Sequence, residues 1–299
     1  MAMTMHFLPL GLMLFTMTSL LIASPTAQVG ADSPGERLLV DALWLQKRLD
    51  DPAVVVIDVR SPEKYQQGHI RSAVNIPTQH TFRQESLTDR MGSMQTIQSL
   101  FGNKGVDGGT NVVLYDDGEF VDAGRVFWIL EVYGHRRVAI LDGGYPAWMK
   151  NGFEISQQVI PRMPKQFIAV IQPDKLATRL HAHLAINNEN KVLIDARSAE
   201  EYRGEVSRFR RFGHIPNAVS VPWNRNIARL DDVSMSKPLP KLEDLYKNIG
   251  KDKKIITYCN KGKQSSFTYF ILRRLGYDVS HYDGSWFDWG NSPDLPVEK

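Results

Sequence analysis

The sequence predicts an α/β protein of two homologous domains, each a mainly parallel sheet flanked by helices. Two observations predict it. Long stretches of the first half recur in the second half in the same order, and in each half short β-branched runs alternate with helical patterns. Repeat units of this length imply paired domains, because solenoid units are far shorter. In sheets of this kind ligands bind outside the carboxyl ends of the strands, so the residues that follow each strand carry the functional signal.

Taken from the N-terminus, the stretch Phe7 to Ala23 is apolar or small and uncharged, and is followed by "SPTAQVGADS" with Val29-Gly30-Ala31 as a cleavage site before Asp32. That layout predicts a secretory signal peptide over residues 1–31, although its first residues lack Lys and Arg. The protein is then exported, periplasmic or secreted, with no stable membrane insertion once the leader is cleaved. An uncleaved anchor is the alternative, and the apolar run is slightly short for one.

The first domain, residues 36–152, contains "VVVIDVRSPEKYQQGHIRSAVNIP", with strands expected at Val54–Asp58, Asn111–Tyr115 and Val138–Leu141. Glu154 to Phe167 has two prolines and little periodicity, so residues 153–172 are expected to form a linker. The second domain, residues 173–296, answers with "KVLIDARSAEEYRGEVSRFRRFGHIPNAVSVP". Both copies give an apolar strand, Asp-x-Arg-Ser, Gly-His-Ile and Pro, and Trp148 aligns with Trp289. The second copy carries an Arg-rich insertion, with Arg208, Arg210 and Arg211, that either attracts anions or is a solvated loop. His69, His214, Asp58 and Asp195 recur in both copies and are expected to anchor strand ends, while the two tryptophans close each core.

Composition excludes several classes. Of 299 residues, 42% are hydrophobic and 23% charged, and the net charge of +3 is dispersed, which fits a soluble globular protein with no nucleic-acid stripe. The single cysteine rules out an intramolecular disulfide, and with scattered histidines gives no zinc spacing. No metal and no organic cofactor is implied. An internal duplication that pairs two domains favours a monomer.

That cysteine, Cys259, follows the strand Lys254–Tyr258 and opens the loop Cys259-Asn260-Lys261-Gly262-Lys263-Gln264, ahead of a helix from about Ser265. A loop feeding a helix N-terminus can curl so that backbone N–H groups point inward and hold an anion. Gly262 would relieve the strain of the curl, and such a nest favours the thiolate. Lys261 and Lys263 add positive potential. Singly, loop lysines are usually solvated charge and a loop glycine a turn. Their coincidence with a lone cysteine points to a nucleophile that meets an anionic substrate.

These residues resemble the rhodanese family, in particular tandem-domain sulfurtransferases of the thiosulfate sulfurtransferase type. The resemblance spans about Glu36 to Pro296 and rests on Asp-x-Arg-Ser, Gly-His-Ile, the cysteine loop, and the Asp-Gly-Gly or Asp-Gly-Ser segment near each domain's end. It implies that the second domain is catalytic and the first silent, since Asp116 stands at the cysteine position in the first copy. It implies that Cys259 takes sulfane sulfur from thiosulfate as a persulfide, expels sulfite, and passes the sulfur to a thiophilic acceptor such as cyanide or a thiol. Lys261 matches the lysine of thiosulfate-preferring members, and Arg197 the arginine expected at the sulfonate end of the substrate. Lys263 is expected to assist in binding. Asn260, Gly262 and Gln264 complete the active-site loop, in which Lys263 and Gln264 depart from the commonest sequence. A mercaptopyruvate sulfurtransferase and a persulfide carrier or sensor fed by a partner protein are the alternatives. A Cys-x5-Arg phosphatase is disfavoured because Ser265 stands where that arginine would be.

Overall fold

The computed structural model describes residues 1–2, 37–83 and 90–299. Apart from Met1 and Ala2, the leader expected over residues 1–31 lies outside the described residues.

Each half builds one five-stranded, all-parallel sheet. In the first sheet the strands run, edge to edge, Leu39–Val40, Val138–Leu141, Asn111–Tyr115, Val54–Asp58 and Val74–Asn75. In the second they run Leu176–Ala177, Asp278–Tyr282, Lys254–Tyr258, Lys191–Asp195 and Val219–Ser220. The two orders are the same permutation of chain order, so the duplication read from the sequence extends to topology. Helices cover both faces, and Val54–Asp58 is therefore buried at every position, as its unbroken apolar run requires.

The domains meet through equivalent helices, Val121–Val132 and Gln264–Arg274. Residues 123–132 of the first and 265–272 of the second are all buried, the condition expected of helices enclosed on every side. Gly124 sets the close approach: a Cβ there would stand 2.9 Å from Phe267 Cα. Phe120 stacks on Phe267 with ring centres 4.9 Å apart, and Phe127 meets Phe270 edge-on at 4.9 Å. One apolar cluster consequently runs through both domains, while a second and a third fill the outer faces of the two sheets. Polar closure comes from Glu131, which accepts from Tyr269 Oη at 2.5 Å and Arg273 Nη2 at 2.9 Å.

The segment 153–172 lies along the first domain. Ile155–Ser156 pairs antiparallel with His69–Ile70, and the N–H groups of Lys165, Val170 and Gln172 donate to carbonyls of Gly102, Tyr133 and Val132. In the second domain the hairpin Ile227–Leu230 with Val233–Ser236 turns through Asp231 and Asp232 at φ of 47° and 67°, the positive pair that a tight hairpin demands. It reaches the first domain, where Ser236 N–H donates to Asp142 at 2.8 Å.

Candidate active site

Cys259 stands at the carboxyl end of Lys254–Tyr258, the central strand of the second sheet, and is 1% exposed. Its loop is tied on several sides. Cys259 N–H donates to Ser285 Oγ at 3.2 Å, and the N–H groups of Trp286 and Phe287 donate to the Cys259 and Asn260 carbonyls at 2.9 Å each. Asn260 Nδ2 donates to Glu201 Oε1 at 2.9 Å. The chain then curls back so that Gly262 N–H donates to Cys259 Sγ at 3.2 Å. Gly262 has φ of 89°, and a Cβ there would lie 3.0 Å from Asp283 O and 3.2 Å from both Arg125 Nη1 and His281 Cε1; only glycine combines that backbone with that space. The helix starts at Gln264, so its first turn and the positive end of its dipole lie next to the sulfur loop.

The first domain contains the same device already filled. Asp116 follows Tyr115 as Cys259 follows Tyr258, and its carboxylate accepts from the N–H groups of Gly118 at 2.8 Å, Phe120 at 3.3 Å and Ala123 at 3.1 Å. The loop therefore holds an anion, and here the anion is its own side chain. Burial nonetheless pushes the Asp116 carboxyl up to about 6, with those amides opposing the rise.

Behind the sulfur loop lies His281, fully buried, within 2.8 Å of Ser265 Oγ through Nε2 and 4.6 Å from the Trp128 ring. Burial and then the Arg125 charge hold its pKa down at about 3, so the imidazole is neutral. Among the described residues no cluster of three or more His, Cys, Asp or Glu is placed to hold a metal ion.

A cavity of about 270 Å³ opens over Cys259, lined by Val121 of the first domain and by Asn260, Lys261, Lys263, Gln264 and Arg208. Five of the residues expected at the site are thus gathered with the cysteine or beside it. Lys261 lines the cavity with its ammonium 5.6 Å from the centre of the Phe287 ring. Lys263 also lines it, but its ammonium is engaged by Asp122 of the first domain at 2.6 Å, so its charge at the cavity is partly neutralised. Arg197 requires correction. It is 1% exposed; its Nη2 donates to Asp195 at 2.5 Å and to Gly213 O at 2.8 Å, and its guanidinium covers the Trp286 ring at 4.4 Å. Arg60 in the first domain does the same with Asp58 at 2.6 Å and Gly68 O at 2.8 Å. The arginine is a lock between strand end and return loop in both domains, with Nε and Nη2 engaged, and Arg197 is not among the residues that line the cavity. His69 and His214 likewise repeat one packing arrangement, stacked on Tyr65 and Tyr202 at 3.8 and 3.7 Å. The Arg-rich insertion divides: Arg208 lines the cavity, while Arg211 donates to Ser292 O at 2.9 Å and ties the insertion to the domain.

Two residues were not foreseen. Glu201 supports Asn260, and Arg125, fully buried in the first domain, donates to Asp283 at 2.6 Å and to Gly262 O at 3.4 Å. Glu201 had a signal in the Ser198-x-x-Glu201 capping box, which forms as that spacing requires. Arg125 had none.

The model of the rhodanese-like domain matches residues 41–151 and 176–292. The chain belongs to the rhodanese family. Among curated relatives, it is similar to the thiosulfate sulfurtransferase of Pseudomonas aeruginosa, 31% identical over 264 residues that cover 87% of this chain and 97% of that protein. It is 32% identical to the thiosulfate sulfurtransferase of Azotobacter vinelandii, with the same coverage. It is also 32% identical to the sulfur carrier protein TtuD of Thermus thermophilus, over 88% of this chain and 96% of that one. Among solved structures, a persulfide form of EanB with ergothioneine superimposes with a TM-score of 0.79 at 26% identity, covering 89% of this rhodanese and 71% of that chain.

Proposed function

We propose that this rhodanese is a thiosulfate sulfurtransferase working through a persulfide on Cys259. The thiolate attacks the sulfane sulfur of thiosulfate; the S–S bond to the sulfonate breaks and its electron pair leaves with sulfite. Cyanide or a thiolate then attacks the outer sulfur of the persulfide, and the Cys259 thiolate is restored. Two half-reactions on one nucleophile give ping-pong kinetics. The observation that carries the reading is the Gly262 N–H held 3.2 Å from Sγ, a donor suited to both the thiolate and the persulfide anion. Lys261, whose ammonium has no ion pair among the described residues, supports a dianionic donor at the cavity. Neutral His281 has no step to perform, because neither half-reaction needs a general acid. The proposed site of action is outside the cytoplasm, after removal of the leader.

The test is intact-mass spectrometry of the mature protein treated with thiosulfate and then cyanide, alongside Cys259→Ser. A gain of one sulfur atom on Cys259, absent in the variant and removed by cyanide, is the expected result. Loading by 3-mercaptopyruvate and not thiosulfate would replace the donor. The kinship to a protein named as a sulfur carrier favours one second reading, a carrier loaded by a partner; failure of both small donors would bring it forward.

A further inference from the structure

A second chamber of about 430 Å³ adjoins the one over Cys259, and the two share Arg208, Asn260 and Gln264 as a common wall. Thiosulfate and cyanide are small anions, and one chamber accommodates either. The larger chamber has a different chemistry. Its one acid, Glu201, has a side chain only 11% exposed, fixed by Ser198 N–H at 3.2 Å and Asn260 Nδ2 at 2.9 Å. Both donors are neutral, so they orient the carboxylate without cancelling its charge. The nearest cation, Arg208, lies 4.0 Å away on a side chain that is 82% exposed, where solvent weakens the attraction. A carboxylate can accept about four hydrogen bonds, and two are made here. Val206 and Trp223 supply apolar wall. The chamber thus offers acceptors for a compact cation with several N–H donors, next to the atom that bears the sulfur.

We infer that this chamber is the acceptor subsite, and that it takes a small aminothiol whose ammonium is held by Glu201. The inference rests on the sulfurtransferase reading and names its acceptor class. The aminothiol's thiolate attacks the outer sulfur of the Cys259 persulfide; a new S–S bond forms on the acceptor, the bond to Cys259 Sγ breaks, and its electron pair returns to Sγ as thiolate. The product is the persulfide of the aminothiol, with no oxidant or reductant consumed. An ammonium fits the two open acceptor positions of Glu201, whereas a carboxylate in the same place would face that charge.

With thiosulfate as donor, kcat/KM is measured for cysteamine and for 2-mercaptoethanol, each expressed per thiolate, in the wild type, Glu201→Gln and Val206→Lys. The wild type should favour cysteamine by about tenfold, the effect of one charge-assisted contact in a partly buried site. Glu201→Gln should bring the ratio close to one. Val206→Lys, on a half-exposed rim position, should lower it by adding a cation, and covers the case in which Glu201→Gln does not fold. A wild-type ratio near one, or a ratio unmoved in the folded variants, overturns the subsite. Sulfur loading of the wild type by thiosulfate and by 3-mercaptopyruvate is read separately by mass: loading by thiosulfate with a ratio near one sinks the subsite alone, and no loading by either donor sinks the sulfurtransferase reading beneath it.

Discussion

Replacing Arg125 by Met should weaken the protein and its sulfur loop together. Arg125 belongs to the domain without the nucleophile, yet its guanidinium contacts Asp283 at 2.6 Å, Gly262 O at 3.4 Å and the face of Trp128 at 4.6 Å. Asp283 is 10% exposed at its side chain and also accepts Met91 N–H at 3.1 Å. Removing the cation leaves a nearly buried carboxylate with one neutral donor among the described residues, and breaking a buried pair from one side is destabilising by about 3–5 kcal/mol. Removing both charges is much milder, because the surviving partner no longer has to be desolvated alone. Arg125→Met with Asp283→Asn should therefore recover most of the loss, to within about 2 kcal/mol of the wild type.

Urea denaturation of the wild type, both single variants and the double variant gives the coupling directly. In parallel, the rate of Cys259 alkylation at fixed pH should fall several-fold in Arg125→Met, on the scale of one hydrogen bond lost from the loop. A single-variant loss under about 1 kcal/mol, or a double variant as unstable as Arg125→Met, would refute the strut between the domains.

Asp116 makes a pH prediction. Its carboxyl lies at about 6 against an ordinary 3.8, so the native state binds the proton more tightly than the unfolded chain; the stabilisation is complete below the lower value and is lost as pH rises through the upper one. The stability of Asp116→Asn should thus rise relative to wild type between about pH 4 and pH 6, by on the order of 3 kcal/mol, and a flat difference across pH 4, 5, 6 and 7 would count against it. Arg60→Lys and Arg197→Lys should each be less stable by about 1–3 kcal/mol, since lysine cannot reproduce the fork. A raised KM for thiosulfate in Arg197→Lys with unchanged stability would return that residue to the substrate. Lys263→Gln removes a half-exposed ion pair with Asp122 and should change the denaturation free energy by less than about 1 kcal/mol.

The parts legible in the sequence are those written in local chemistry. Val54–Asp58 and Asn111–Tyr115 are unbroken β-branched runs that only a doubly covered parallel strand explains, and the cysteine loop declares itself by following one such strand and preceding a helix. Arg197 was legible in place but not in direction, because Asp-x-Arg reads alike whether the fork turns back on the aspartate or outward to a ligand. The clue lay in Arg60: an arginine kept in a copy that has no nucleophile argues for a role the two copies share. Arg125 and Asp283 stand 158 positions apart, and no spacing rule connects them before the helices are packed.

That last pair bears on what a domain without a nucleophile contributes. Its loop is closed on its own carboxylate at Asp116, which takes up the amides of Gly118, Phe120 and Ala123. Its helix and the Phe120 that precedes it, however, supply Val121 to the cavity wall, Asp122 to Lys263, Arg125 to the Gly262 carbonyl, and Phe120 and Phe127 to the core around the helix that follows Cys259. The contacts concentrate where Gly124 lets the two helices touch, directly behind the loop that bends Gly262 toward sulfur. Cut from its partner, the second domain would expose Phe267 and Phe270 and leave Asp283 without its cation. The geometry at Sγ is accordingly a property of the pair of domains, and a change at the Gly124 crossing should reach the sulfur before it reaches either sheet.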